Sequence, residues 1–391
     1  MTQVLYLDAN LDNADWPKRT DDHWDADSPP SRIGSKVFCP TGPGGGVDAT
    51  CSPGKAGNSQ LKDYAASAEK VITSKSGNAG YADHQEKEMN SFLKSPAAKE
   101  LWKKRGQGNF DIDSLPPMER GEAGLLRPAG EFKDKSDGGK LAKLLEIRAA
   151  DAVASKLEGK LTKEDVEQFA ADNPGLASND HFGVAKKIVD SWNWDCTGLA
   201  SVALQTQVQA KFGIEGASRP KWKEHRWGGE EGLQQHLGTG ANKKVYDAAV
   251  DAIYETTQEK LKEAGIDSLV VYRGKPDSSE DASGYLLSKR IDTVQSNPLS
   301  SYSTSISQAE VFTRGDGSSF GTVLGTVVPS SRIFSHPAAG IGTTMEAEVV
   351  VMHDSKAQVK VASFKHKRYL DDNDNYEYDN TEIKDKFWSL E

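Results

Sequence analysis

The chain is 391 residues long and carries 48 Lys+Arg against 58 Asp+Glu, a formal net charge of -10. That length holds two ordinary domains with a linker or tail, and the acidic balance speaks against a protein that works by coating nucleic acid or anionic lipid. Hydrophobic residues make up 36% and mean hydropathy is -0.62, so part of the chain is expected to lie outside a packed core. No apolar run approaches the roughly 20 residues of a membrane helix, and the opening MTQVLYLDANLDNADW has neither a basic nor an apolar segment. These features predict a soluble protein made in the cytoplasm, with no nucleic acid and no membrane among its partners.

Residues 1–139 mix Asp, Ser, Gly, Pro and Lys, and CPTGPGGGVDATCSPG from Cys39 to Gly54 is dense in structure breakers. They read as an irregular or partly disordered arm with short helices at Ala66–Val71 and Lys87–Lys104. The glycines lack the Gly-Lys-Ser/Thr ending of a phosphate cradle and read as a linker. Cys39, Cys51 and Cys196 are too few and scattered for a disulfide framework or a four-ligand zinc site. Reduced thiols are expected, with a Cys39–Cys51 pair as the oxidised alternative.

Over 140–265 the texture is helical. Leu141, Leu144, Leu145, Ile147, Ala152 and Val153 recur at helical spacing ahead of Gly159, a C-cap glycine. Thr162 stands where an N-cap belongs, with Asp165 three residues on. Further helices are expected in VAKKIVDSWNWD, in TGLASVALQTQVQAKFG and in KKVYDAAVDAIYETTQEKLKEAG, which ends at Gly265. Trp192 and Trp194 are expected to pack this block, and Cys196 to be a buried thiol.

Beyond Gly265 the period switches to two. SLVVYRG, SSYSTSIS, FGTVLGTVVP, EAEVVVM and AQVKVASF are short, β-branched and bounded by turn formers. The fold class is therefore α+β, with a helical region followed by a β-rich region over 266–391 that ends in a polar tail; alternating βαβ units are absent.

Three motifs in this β-rich part can carry chemistry. Glu346 and Glu348 precede three valines, and on a strand residues two apart share a face, about 6.5 to 7 Å apart. On a helix they would lie about 200° apart and could not cooperate. Arg273 ends LVVYRG, where a guanidinium can grip a phosphate through paired hydrogen bonds and Gly274 lets a ligand approach the backbone. Tyr302-Ser303-Thr304-Ser305 adds a hydroxyl cluster. Taken singly, each is more often a solvated strand end, a surface ion pair or ordinary strand residues.

In this order the three motifs resemble the Arg-Ser-Glu class of mono-ADP-ribosyltransferases, which includes clostridial binary-toxin catalytic domains and phage-encoded members. The resemblance spans roughly Asp267 to Phe364. It implies a mixed β-sandwich ADP-ribosyltransferase fold, NAD as substrate, no metal, and transfer of ADP-ribose to a target protein with release of nicotinamide. Carried onto this chain, Arg273 and Gly274 would hold the NAD pyrophosphate. Ser303, with Thr304 after it, would hydrogen-bond the catalytic glutamate and shape the nicotinamide pocket. Phe312 would pack on nicotinamide, with Phe320 a rival, and Arg314 would add a second phosphate contact. Glu348 would bind the ribose hydroxyl and Glu346 would read the acceptor, its identity as Glu pointing to an arginine. The turn HPAAGIGTT lacks the aromatic that many toxins use to hold a protein target, and Ile341 is its candidate substitute. VPSSRIFSHP looks closer to phage and mobile-element members, so delivery into another cell or carriage in a phage particle is implied. The rivals are an NAD glycohydrolase on the same site and a phage structural protein keeping the domain as a binding module.

Two other features read as ordinary. His336, His353 and His366 show no metal-ligand spacing, and DDNDNYEYDN lacks the glycine of a calcium loop and reads as a solvated tail.

Overall fold

The computed structural model describes residues 55–121, 125–134, 136–194, 198–217, 228–238, 240–277, 290–313, 320–365, 367–370, 376–379 and 387–388. The three cysteines, the Gly-rich stretch up to Gly54, Arg314 and His366 lie outside them.

From Lys55 the arm is more helical than expected, and the short helices expected at Ala66–Val71 and Lys87–Lys104 fall within longer ones. Helices α1 (Lys55–Thr73), α2 (Asn78–Leu93) and α3 (Pro96–Arg105) follow one another. Leu61, Tyr64, Ala68 and Val71 recur three or four residues apart in α1, and polar residues between them hide this stripe from a composition-based reading. Leu61 and Ala68 are fully buried. Helix α3 starts with Pro96 behind Ser95, whose side chain accepts from the N–H of Ala98. A two-stranded ribbon, β1 (Met118–Arg120) with β2 (Leu126–Pro128), leads to the next helices.

The helical block is as expected: α4 (Asp137–Leu157), α5 (Lys163–Asp172), α6 (His181–Trp194), α7 (Leu199–Phe212), α8 (Gly229–Gly238) and α9 (Ala241–Glu263). Leu141, Leu144, Leu145, Ile147 and Val153 of α4 are buried, whereas Ala152 is half-buried. Thr162 and Asp165 form a reciprocal capping box on α5, and Gly265 follows α9 with φ 68. One apolar core runs from Met89 on α2 through α4, α6, α7 and α9 into the sheet at Leu299, Phe334 and Val350 and takes in Ile341 of the turn between β7 and β8.

The remaining elements are β3 (Ser268–Asp277), β4 (Arg290–Thr293), β5 (Leu299–Ser303), the short helix α10 (Ile306–Val311), β6 (Phe320–Pro329), β7 (Ile333–Ser335), β8 (Glu348–Met352), β9 (Gln358–Lys365), β10 (Lys367–Leu370) and β11 (Tyr376–Asp379). The fold is α+β with antiparallel sheets. Among the described residues β10 pairs only with β11, and the other seven strands form one sheet in the order β4-β9-β6-β3-β5-β8-β7. The α+β class with helices ahead of the strands is thus as expected, and β3 to β9 are joined in one sheet. That sheet has a seam, since ten residue pairs join β3 to β6 but a single pair, Tyr272 with Ser303, joins β3 to β5. Beside the seam the Asn78 side chain imitates a strand neighbour, donating to the carbonyl of Val270 and accepting from its N–H, both at 2.8 Å.

Candidate functional site

The sheet gathers the three sequence motifs on adjacent strands. Tyr272 of β3 pairs with Ser303 of β5, and Ser303 pairs with Glu348 of β8, so the three residues form a row across the sheet next to Arg273. Ser303 and Glu348 are both buried, at 4% and 6% exposure. Glu348 faces the helical block, and both of its oxygens are engaged. Oε1 accepts from Trp192 Nε1 of α6 at 3.2 Å, and Oε2 accepts from the Thr343 backbone N–H at 2.7 Å.

Glu346 is placed differently from its expectation as a strand residue. Thr344–Glu346 form one turn of 3-10 helix, and Ala347 takes the left-handed conformation, φ 46 and ψ 40, before β8 begins at Glu348. The shared-face argument from strand alternation therefore does not apply to the pair. The turn is tied down by local bonds, with the N–H groups of Glu346 and Glu348 both reaching the Thr343 carbonyl at 3.2 Å. Ser303 supports it from the neighbouring strand. Its hydroxyl donates to the Glu346 backbone carbonyl at 2.7 Å and accepts from the Ser305 N–H at 3.0 Å. Ser303 thus holds the backbone of the Glu346 turn, correcting the expected bond to the catalytic carboxylate. Thr304 acts through its backbone N–H, which donates to the Ala347 carbonyl at 3.1 Å.

Arg273 projects to the other side of the strand row. Its guanidinium lies 5.8 Å from the ring centroid of Tyr302, whose side chain alternates with that of Ser303. Lys275, two residues on, shares that face of β3. Burial, and then the charge of Arg273, pull its ammonium down to about 8. No carboxylate pairs with either cation among the described residues. Gly274 does not open a path to a ligand as expected, because a Cβ there would sit 1.8 Å from the carbonyl of Ala309; the glycine lets α10 pack on β3. Phe312 caps the C-terminus of α10 and is half-buried. Phe320 opens β6 opposite Asp277.

The turn before the glutamates is interior. Pro337–Gly342 are buried, Ile341 completely, and a Cβ on Gly340 would meet Ile253 of α9 at 2.9 Å. Ile341 is a core residue here, which corrects its expected role against a target. The N–H of Gly342 donates to Asn193 Oδ1 at 3.3 Å. Trp192, Asn193 and the Thr343 amide are site residues that the sequence does not mark, because no local pattern links α6 to a strand some 150 positions away.

His336 is fully buried behind this turn, edge-on to Tyr81. Burial first, with Lys260, His84 and Arg148 adding to it against Glu88, pulls the ring down to about 3. His353 bonds Ser296 through Nδ1 at 2.8 Å. Among the described residues no group of three His, Cys, Asp or Glu side chains is arranged to hold a metal ion, and no helix is long and apolar enough to cross a membrane.

No family model matches the chain, and searches of curated proteins and of solved structures gave no match.

Proposed function

We propose that the chain is an NAD-dependent mono-ADP-ribosyltransferase of the Arg-Ser-Glu class, moving ADP-ribose from NAD to an arginine of a target protein and releasing nicotinamide. The observation that carries the reading is the strand row. Arg273, Ser303 and Glu348 are separated by 30 to 75 positions in the chain yet sit on three consecutive strands, β3, β5 and β8, with Ser303 and Glu348 directly paired.

The chemistry needs such a row. Breaking the nicotinamide–ribose bond builds positive charge on the sugar, and a fixed carboxylate beside it favours the transition state over the ground state. Glu348 is that carboxylate, held from two directions. Arg273 and Lys275 offer two cations on one face of β3 for a pyrophosphate. Beyond the Tyr272–Ser303 pair β3 and β5 share no ladder, and NAD bound along that line would have to meet the cations on one side of the strand row and Glu348 on the other. Glu346, on its own turn, would orient the incoming guanidinium and help remove its proton. The finer reading of the sheet as an ADP-ribosyltransferase fold belongs to this proposal.

The test is nicotinamide release from NAD by the full chain, with and without the arginine analogue agmatine. Stimulated release with ADP-ribosyl-agmatine formed supports transfer. Release without stimulation or labelled agmatine refutes the arginine acceptor and leaves an NAD glycohydrolase. That second reading has its own support in the burial of Pro337–Gly342, which leaves little of this turn to meet a protein. Absence of any NAD turnover refutes both.

A further inference from the structure

The last turn of α6 reaches the strand row at two adjacent residues. Trp192, itself 4% exposed, donates its indole N–H to Oε1 of Glu348, while Asn193 accepts the N–H of Gly342 in the turn that leads to Thr343. The Thr343 N–H in turn holds Oε2. A carboxylate offers about four lone-pair sites. One on each oxygen is therefore taken, and one on each is left for a ribose hydroxyl. Two donors from separate elements, one on each oxygen, fix the rotation of the carboxylate, which a strand backbone alone cannot do.

We infer that Trp192 and Asn193 are positioning residues for NAD cleavage: the end of α6 sets the orientation of Glu348, directly through the indole and indirectly by anchoring the 342–343 turn. The inference rests on the transferase reading above. It assigns a task to the helical block, which otherwise only packs against the sheet. Neither side chain needs to touch NAD, since the cations that would hold the pyrophosphate lie on β3. Losing the indole donor therefore leaves substrate binding in place and loosens the group that must be aligned in the transition state. Small misplacements of this kind are costly, on the order of 10- to 100-fold in rate.

The experiment compares wild type, Trp192→Phe, Asn193→Ala and Glu348→Gln as full chains. It measures kcat and KM for NAD in nicotinamide release, with thermal unfolding run alongside. Trp192→Phe keeps an aromatic ring and removes the donor; it should lower kcat about tenfold or more while KM stays within about twofold. Asn193→Ala, at a half-buried position, should lower kcat severalfold with the same split. If Trp192→Phe fails to fold, Asn193→Ala decides. Wild-type kcat in the folded variants overturns the positioning role alone, as does a raised kcat, which would make the indole a cover over the carboxylate. A change confined to KM also overturns it. A wild type with no NAD turnover overturns the transferase reading and this role together.

Discussion

Glu348 and Glu346 are two positions apart and differ in everything that matters to their chemistry. Glu348 is a buried strand residue with both oxygens bonded, and Glu346 ends a 3-10 turn whose backbone is held by Ser303. Glu348→Gln keeps the shape and removes the charge, so NAD cleavage should fall by about 100- to 1,000-fold whatever the acceptor. Nicotinamide release near the wild-type rate would remove Glu348 from the chemistry. Glu346→Gln should abolish transfer to agmatine while hydrolysis continues, and unchanged transfer would exclude it from acceptor reading. His336 makes a separate prediction about stability. Its ring faces Glu88, Lys260, His84 and Arg148, with Tyr81 against it, and is held neutral by burial. Glu88 is disfavoured by burial, but Arg148 and Lys260 outweigh that and hold its carboxyl below the usual range. The folded pKa of His336 lies below its unfolded value of about 6.5, so the unfolded chain takes the proton first. Stability is complete above pH ~6.5 and should decline toward pH ~3, by up to about 1.4 kcal/mol per unit. Glu88 acts with the same sign at the acid end. Urea midpoints at pH 7 and pH 5 should differ, and the difference should shrink in His336→Asn; equal midpoints in the wild type would refute the coupling.

At the scale of elements, the N-terminal helices are structural parts of the sheet. The Tyr64 hydroxyl of α1 donates to the Gln358 carbonyl at 2.8 Å and accepts from the Val327 N–H at 3.3 Å. The Asn78 amide satisfies both backbone groups of Val270. Asn78→Ala should cost roughly 1–3 kcal/mol, because it strands a donor and an acceptor that no strand of the sheet reaches; urea unfolding at neutral pH measures it, and a change within error would show that water replaces the amide. The long strands were legible in sequence because β-branched runs such as LVVY and VVV leave little else for the backbone to do. Helix α10 was not. Its six residues follow a strand motif directly, and the signal present, Ser305 capping the N–H of Gln308, is easily read as part of a hydroxyl-rich strand. Over residues 55–105 the sequence points only to short helices at Ala66–Val71 and Lys87–Lys104, because the apolar stripes are thin and tertiary burial against β3 and the helical block extends them.

Across the whole molecule, the sequence carried the order of helices then strands, and it carried the residues of the candidate site, but not their partners. The Ser303–Glu348 pairing depends on the register between strands separated by the whole of α10, β6 and β7. The Trp192 contact depends on how the helical block docks on the sheet. Neither leaves a trace in local spacing. Arg273 illustrates the reverse limit, since its motif is plain in sequence while its side chain settles over Tyr302, away from the carboxylate.

The seam beside that arginine has a mechanical consequence. Each flank of the sheet has its own hydrogen-bonded ladders, and among the described residues Tyr272–Ser303 is the one ladder pair that joins β3 to β5 between them. Bending stiffness should be lowest along that line, so the flanks can tilt about it without breaking a rung on either side.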